Sequence, residues 1–249
     1  MDDLEGQVFI CTGAASGIGR AAARSLAAHG AHVHCVDLDP AGAAVAEDLR
    51  SEGLSAAFSA ADVRDPDAMS DVVRVALDAG GQIHGLVNCA GVTGQTGVKG
   101  HEVPLADFDR VVSINLRGAF VCTRAVIPAM LERSYGRILH VASIAGKDGN
   151  AGMVSYSASK AGLIGMVKAL GKEYATSGVT VNALAPAVIH TPLVEQMPAA
   201  QVEYMTSRIP MERLGTLAEA TAMIRFIVSP GCSFTTGFTF DLSGGRATY

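Results

Sequence analysis

Three polar residues in the second half of the sequence, Ser143, Tyr156 and Lys160, have the types and the spacing that acid–base chemistry requires. Tyr156 and Lys160 stand four positions apart in a helical run, so their side chains share one helix face. An ordinary phenol has a pKa of about 10. A cation ~4 Å away at an effective dielectric of ~20 contributes roughly 4 kcal/mol, which would bring that pKa towards about 7. The spacing therefore predicts a tyrosine that can exchange a proton near neutral pH.

The position of Ser143 indicates where these side chains would meet. The preceding run, residues 138–142, is short and rich in apolar and β-branched side chains, which favours a buried strand. Open α/β sheets bind their ligands at the carboxyl ends of the strands. A Tyr-x-x-x-Lys spacing by itself also fits a tyrosine that only packs and a lysine in solvent, so the hypothesis depends on the rest of the chain.

A glycine pattern near the amino terminus has the spacing of a dinucleotide-binding turn. It leads from a predicted strand, residues 7–12, through Gly13, Gly17 and Gly19 into a predicted helix, residues 20–29. The first glycine permits the tight turn, the second lets the backbone approach a phosphate, and the third allows close helix packing. Because the pattern lies between a strand and a helix, it predicts a pyrophosphate site at the helix amino terminus.

Asp37, at the end of the next predicted strand, is the residue that would select the nucleotide. A carboxylate there accepts hydrogen bonds from ribose hydroxyls and repels a 2′-phosphate. Neither Ser16 nor Leu38 supplies a cation for such a phosphate, although Arg20 is near in sequence. The sequence therefore favours NAD over NADP, the alternative being that Asp37 only caps a helix.

Composition excludes several other classes of protein. The chain has 249 residues, of which 49% are hydrophobic and 17% charged, and this favours a well-buried globular fold. Its net charge of -5 provides no electrostatic footprint for nucleic acid. No apolar run reaches membrane-spanning length, and the acidic start lacks the regions of a signal peptide. Five scattered cysteines and the absence of metal-ligand spacings predict a cytoplasmic protein with reduced thiols and no metal.

The elements that must position the site alternate between strand and helix. This order predicts an α/β fold: one doubly wound (Rossmann) domain over residues 1–249, with a seven-stranded parallel sheet and helices on both faces. The predicted strands are residues 7–12, 31–36, 55–61, 83–88, 137–142, 179–184 and 237–242, and the predicted helices include residues 20–29, 66–79, 104–130, 154–176 and 217–228.

Taken together, the motifs resemble those of the short-chain dehydrogenase/reductase family over essentially the whole chain. They are Thr12-Gly13-x-x-x-Gly17-Ile18-Gly19, Asn88-Cys89-Ala90-Gly91, Asn115, Ser143 and Tyr156-x-x-x-Lys160. The resemblance implies hydride transfer between a secondary alcohol and a nicotinamide. It implies that Tyr156 is the general acid/base, that Ser143 orients the substrate oxygen, and that Lys160 holds the nicotinamide ribose and tunes Tyr156. Asn115 would distort its helix and anchor a water in a proton relay.

The resemblance also implies a set of NAD-binding residues. Two departures from the family pattern are Cys89, where a second Asn is usual, and Ala187, where Gly is usual, and the latter leaves the shape of the substrate pocket open. The implied cofactor residues are Gly13, Ser16, Gly17, Ile18, Gly19, Asp37, Asp62, Val63, Asn88, Ala90, Gly91, Tyr156, Lys160, Pro186, Val188 and Thr191.

The local sequences at residues 143–150, 186–193 and 243–249 are similar to those of sugar-acid dehydrogenases in this family. Such a resemblance implies oxidation of the 4-hydroxyl of 2-keto-3-deoxy-L-rhamnonate or of its fuconate epimer. Besides Ser143 and Tyr156, an anionic substrate would need local cations, and Lys147, His190 and Arg246 are the candidates. The alternative is that Lys147 is a solvated loop charge and Arg246 an interface or tail residue.

Two other functions stay open at this point. A 3-oxoacyl-[acyl-carrier-protein] reductase would share the architecture and the catalytic residues, although Asp37 and the acidic balance disfavour it. A non-catalytic NAD(H)-sensing protein would share the fold but would have no need of a tuned base. The resemblance further implies a homotetramer that associates through two long helices, residues 104–130 and 154–176.

Overall fold

Seven parallel strands form one sheet in the computed structural model, which describes residues 4–195 and 199–249. Residues 1–3 of the acidic amino terminus and residues 196–198 lie outside the described ranges. The strand order is β3-β2-β1-β4-β5-β6-β7, so the direction of winding reverses between β1 and β4. The strands are β1 Val8–Thr12, β2 His32–Asp37, β3 Ala56–Ala60, β4 Gly85–Asn88, β5 Gly136–Val141, β6 Val179–Pro186 and β7 Thr239–Leu242.

Helices cover both faces of this sheet, as predicted. The helices of the described ranges are α1 Gly17–Ala27, α2 Ala41–Ser51, α3 Pro66–Gly80, α4 Leu105–Val112, α5 Ala119–Glu132, α6 Ala145–Asp148, α7 Val154–Glu173, α8 Pro192–Glu195, α9 Ala199–Ser207 and α10 Leu217–Val228. A π-helical segment, Ser113–Gly118, joins α4 to α5 without interruption, and a 3₁₀ turn spans Gly100–Glu102.

Successive side chains along a strand point to opposite faces of the sheet, so the interior consists of two hydrophobic cores. Val8 and Ile10 of β1 face a core that includes residues of α3, α5 and α7. Phe9 and Cys11 of the same strand face a second core with α1, α2 and α10. Because both faces of β1, β4, β5 and β6 are buried, these central strands are mostly apolar, which is typical of a parallel sheet.

The boundaries differ from the predicted ones where glycine geometry or capping decides them. Strand β7 starts at Thr239 because Gly237 has a φ of +70° and still belongs to the preceding turn. Helix α2 was not predicted, and the glycine-rich segment after Ser143 contains the short helix α6. The continuous helix Leu105–Glu132 is long and apolar enough to span a membrane, but half of its most apolar window is buried in the fold, as expected of a core helix.

Candidate active site

A cavity of about 560 Å³ lies at the carboxyl ends of β1 to β6, where the winding of the sheet reverses. Most of the predicted cofactor and catalytic residues contribute to its wall. They are Gly13, Ser16, Gly17, Ile18, Gly19, Asp37, Asp62, Val63, Ala90, Gly91, Ser143, Tyr156, Lys160, Pro186 and Thr191. Residues of the wall that were not among the predicted site residues are Leu38, Ala61, Arg64, Cys89, Val92, Thr93, Ile114, Val141, Ala142, Ala187 and Ile189.

The glycine turn at the base of the cavity has the geometry that a pyrophosphate needs. A Cβ on Gly19 would lie 2.1 Å from the Gly13 carbonyl oxygen, and one on Gly13 would lie 2.8 Å from the Ala90 nitrogen. Gly17 has a φ of +52° and open space beside it. Helix α1 starts there, and the Ser16 side chain does not cap it. The N–H groups of its first turn therefore remain free to bind an anion.

Asp37 presents an oriented carboxylate at one end of the cavity. Its Oδ2 accepts a hydrogen bond from the Ala15 nitrogen at 2.9 Å, and its Oδ1 accepts one from the Asp39 nitrogen at 3.0 Å. Both backbone donors leave oxygen lone pairs free for ribose hydroxyls. Arg20 is exposed and does not line the cavity. The arrangement therefore fits an adenosine with a free 2′-hydroxyl.

Asp62, one of the implied cofactor residues, forms an ion pair with Arg64 in the cavity wall. The Arg64 guanidinium lies 2.6 Å from an Asp62 carboxylate oxygen, and this contact lowers the pKa of Asp62. Since Arg64 is held by this carboxylate, it is not available as the cation that would select a 2′-phosphate.

Tyr156 and Ser143 meet in the wall of the cavity. Burial raises the pKa of the Tyr156 phenol, and a hydrogen bond from the Ser143 hydroxyl opposes that rise. Ser143 itself is only 8% exposed, and its Oγ accepts a hydrogen bond from the Ala145 nitrogen at 3.1 Å. The serine hydroxyl is therefore fixed beside the phenol, where both can reach one substrate oxygen.

The position of Lys160 corrects the electrostatic prediction. Its Nζ donates a hydrogen bond to the Val141 carbonyl oxygen at 2.7 Å and lies 5.7 Å from the centre of the Tyr156 ring. Burial lowers the pKa of Lys160 to about 8. The prediction that this ammonium lowers the pKa of Tyr156 is wrong for this structure, because the nearest acceptor is a strand carbonyl and burial of the phenol dominates.

Asn115 lies in the π-helical segment, so the predicted distortion of its helix is confirmed. Its Oδ1 accepts from the Val92 nitrogen at 2.8 Å, and its Nδ2 donates to the Val92 carbonyl oxygen at 2.9 Å and to Ser159 Oγ at 3.0 Å. A Cβ on Gly91 would lie 3.1 Å from Asn115 Oδ1 and 3.5 Å from Lys160 Nζ. Glycine at position 91 therefore lets the asparagine amide and the lysine approach the same point.

Asn88 lies behind the cavity wall, in a buried chain of hydrogen bonds that sequence reasoning missed. Thr12 donates to Asn88 Oδ1 at 2.5 Å, and Asn88 Nδ2 lies 3.2 Å from His140 Nδ1. The Thr123 hydroxyl donates to Ala119 and lies 3.0 Å from His140 Nε2. Thr123 must accept from His140, so the imidazole is neutral with its proton on Nε2. Burial also favours the neutral imidazole, because it lowers the pKa of His140 to about 3.

The cations predicted to bind the substrate do not line the cavity. Lys147 Nζ lies 2.8 Å from Asp241, and its side chain is only 9% exposed, so it is not a solvated loop charge either. Arg246 lies 3.4 Å from Asp148. His190 is 53% exposed and lies 3.7 Å from Glu195. Val188 does not line the cavity and uses its carbonyl to accept from the Gly215 nitrogen.

The cavity has the residues for acid–base chemistry, and no metal site accompanies them in the described part of the chain. Within residues 4–195 and 199–249, no group of three or more His, Cys, Asp and Glu side chains could hold a metal ion.

The fold, the glycine turn and the Ser143–Tyr156–Lys160 arrangement define a class of enzyme, and comparison with known proteins identifies it. The family of short chain dehydrogenases matches residues 7–202. This chain belongs to that family.

Three known proteins are similar to this chain over nearly its full length. The chain is 47% identical over 244 residues to a 2-dehydro-3-deoxy-L-rhamnonate dehydrogenase (NAD(+)) of Sphingomonas sp., covering 98% of this chain and 96% of the relative. It is 39% identical to a 3-oxoacyl-[acyl-carrier-protein] reductase of Synechocystis sp., with both chains covered in full. The solved structure of levodione reductase superimposes with a TM-score of 0.92 at 31% identity, covering 98% of this chain and 99% of the other.

Proposed function

We propose that this chain is an NAD-dependent dehydrogenase that oxidises the 4-hydroxyl of 2-keto-3-deoxy-L-rhamnonate or of its L-fuconate epimer. The identity of 47% to the Sphingomonas rhamnonate dehydrogenase, over nearly the full length of both chains, carries this assignment. The cavity supports the reaction class independently of that relative, because it combines a nucleotide site with a buried acid–base group.

The nucleotide specificity is argued from Asp37 and the glycine turn. NAD, when bound, accepts or returns the hydride at its nicotinamide ring. Asp37 would accept hydrogen bonds from the adenosine ribose and would repel a 2′-phosphate, while the first turn of α1 would bind the pyrophosphate. Among the described residues, Arg64 and Lys160 are the Lys and Arg side chains of the cavity wall, and Arg64 is already paired with Asp62.

The acid–base chemistry is argued from the Tyr156 phenol. In the direction of oxidation, phenolate would remove the proton of the substrate hydroxyl, and the Ser143 hydroxyl would donate to the substrate oxygen. Lys160, with a pKa of about 8, carries a proton at neutral pH and would hold the nicotinamide ribose. Burial raises the pKa of Tyr156, so the fraction of phenolate, and with it the rate of oxidation, should increase as pH rises.

The predicted assembly is also kept as a proposal. The long helix Leu105–Glu132 exposes Leu105, Phe120 and Leu131, and Val154 at the start of α7 is 42% exposed. Such side chains on the two helices support association of this surface with further copies of the chain. We propose a homotetramer that works in the cytoplasm.

The second candidate function is reduction of 3-oxoacyl groups on acyl carrier protein, favoured by the 39% identity to the Synechocystis reductase. A non-catalytic NAD(H) sensor is disfavoured, because a sensor gains nothing from burying Tyr156, Ser143 and Lys160 in the wall of its nucleotide site.

One substrate screen separates these functions. Purified protein is assayed for NADH and NADPH formation with 2-keto-3-deoxy-L-rhamnonate, its L-fuconate epimer and neutral secondary alcohols, and for NAD(P)H consumption with a 3-oxoacyl thioester. We expect the highest kcat/KM with a sugar acid and NAD. Preference for the thioester and NADPH would contradict the proposal, and nucleotide binding without turnover of any substrate would favour the sensor.

A further inference from the structure

A short helix that directly follows Ser143 links the catalytic serine to the catalytic lysine. Helix α6, Ala145–Asp148, starts two residues after Ser143. On its inner side, a Cβ on Gly146 would lie 2.6 Å from the Lys160 carbonyl carbon. The backbone of α6 is therefore in close contact with the turn of α7 that carries Lys160. A displacement of α6 would move Ser143 relative to the groups that it must meet.

The outer side of α6 is held by strand β7 and the last residue of the chain. Lys147 Nζ lies 2.8 Å from Asp241 Oδ2, with side chains only 9% and 25% exposed. The Tyr249 hydroxyl donates to the Lys147 carbonyl oxygen at 2.7 Å, and Lys147 Nζ lies 4.8 Å from the centre of the Tyr249 ring. Lys147 is thus contacted through its side chain and its backbone from two separate elements.

Arg246 holds the end of the same helix. Its Nη2 donates to Asn150 Oδ1 at 2.7 Å, and its Nε lies 3.4 Å from Asp148 Oδ2. The Arg246 side chain is 10% exposed, so these contacts are better shielded from water than an ordinary surface pair. Ser243 fixes the tail that carries the arginine, because its Oγ accepts from the Ala247 nitrogen at 3.2 Å.

We propose that Asp241, Arg246 and Tyr249 form a C-terminal clamp whose function is to position α6, and through it Ser143, for catalysis. None of the three lines the active-site cavity, so they are positioning residues that act through the serine. Displacements of about 1 Å can cost up to ~10²-fold in rate, which is why a clamp outside the cavity can control turnover. As far as turnover is concerned, this inference rests on the proposed dehydrogenase function.

The clamp is tested with variants that break one ion pair from either side. Arg246→Gln and Asp148→Asn remove opposite partners of the same pair, and Arg246→Lys retains the charge. Arg24→Gln is a matched control, since it breaks the Arg24–Glu52 pair, whose side chains are 45% and 46% exposed. For each variant, kcat and KM are measured with an alcohol that the unmodified protein oxidises, and amide hydrogen exchange is measured for residues 143–150.

We expect Arg246→Gln and Asp148→Asn each to lower kcat about tenfold and to change KM for the alcohol less than about twofold. Both variants should also accelerate amide hydrogen exchange in residues 143–150. The double variant should be no worse than the single ones, and Arg246→Lys should recover part of the rate. A substrate-binding role for Arg246 would give opposite signs in KM: a rise on its removal and a fall in Asp148→Asn. That outcome, or unchanged kcat and exchange, would overturn the proposal.

The exchange measurement also separates the two proposals. It needs no substrate, so faster exchange in the clamp variants supports the clamp even if the protein oxidises no sugar acid. Unchanged exchange together with sugar-acid oxidation would refute the clamp and leave the proposed function intact.

Discussion

The buried ammonium of Lys160 should make the folded protein less stable than a variant without it. Lys160 is 4% exposed, and burial lowers its pKa from 10.5 to about 8. At about 1.36 kcal/mol per pKa unit, this difference corresponds to roughly 3 kcal/mol of destabilisation at neutral pH. Lys160→Met removes the charge and keeps an unbranched side chain. It also removes the hydrogen bond to Val141, worth about 1 kcal/mol, so the net gain in the free energy of unfolding is about 2 kcal/mol.

The size of this stabilisation depends on pH. Since the folded-state pKa of Lys160 lies below its unfolded value, the unfolded chain holds the extra proton between about pH 8 and pH 10.5. The stability contributed by this group therefore rises across that window, and its penalty is complete only below pH 8. The advantage of Lys160→Met should accordingly shrink between pH 8 and pH 10.5.

Urea unfolding at pH 7 and at pH 10.5 measures both effects, and thermal unfolding at pH 7 should show Tm raised by about 4–8 °C for a chain of this size. The same variant should lose turnover. Lys168→Met is the control, because Lys168 is exposed on the same helix and its replacement should change stability by less than about 0.5 kcal/mol. A Lys160→Met protein that is less stable than the unmodified one, or equally stabilised at both pH values, would refute the reasoning.

Two further predictions concern the nucleotide site and the buried hydrogen bonds. Asp37→Ala should raise KM for NAD and lower KM for NADP, because it removes an acceptor for the ribose hydroxyls and a charge that repels a 2′-phosphate. Steady-state kinetics with both nucleotides measures this change. An unchanged preference for NAD over NADP would contradict the role of Asp37. His140→Leu should lower the free energy of unfolding by roughly 3 kcal/mol, because Asn88 and Thr123 lose a buried hydrogen-bond partner. Thr206→Val removes a partly buried hydroxyl that does not belong to these hydrogen bonds, so it should cost far less. Equal urea midpoints for both variants would contradict the importance of the buried hydrogen bonds.

The elements that the sequence predicts well are those whose signal is local. Each of the seven strands was predicted within two residues of its observed bounds, and α10 was predicted with its observed bounds. Thr216 and Glu219 form a capping box at the start of this apolar helix. The glycine turn was equally readable, since Gly13 and Gly19 occupy positions where a Cβ would collide with backbone. Local steric constraints leave a signature in the residue types themselves.

The remaining features depend on contacts between distant parts of the chain. Lys147 was interpreted as a substrate cation, but it pairs with Asp241, a residue 94 positions away. A lysine in a glycine-rich segment carries no trace of such a partner. The sequence analysis does not single out His140, and its role follows only from the register that places it beside Asn88. The direction of the Tyr156 pKa was mispredicted for a similar reason: burial, a tertiary property, raises it.

Replacement of Tyr156 by Phe tests the central claim most directly. The phenol oxygen is the atom proposed to exchange the substrate proton, and the ring that lines the cavity is retained in the variant. Turnover of the sugar acid should fall at least ~10²-fold, the lower end of what a positioned acid/base contributes, while the Kd for NADH measured by fluorescence titration changes little. Turnover close to that of the unmodified protein in Tyr156→Phe would contradict the account.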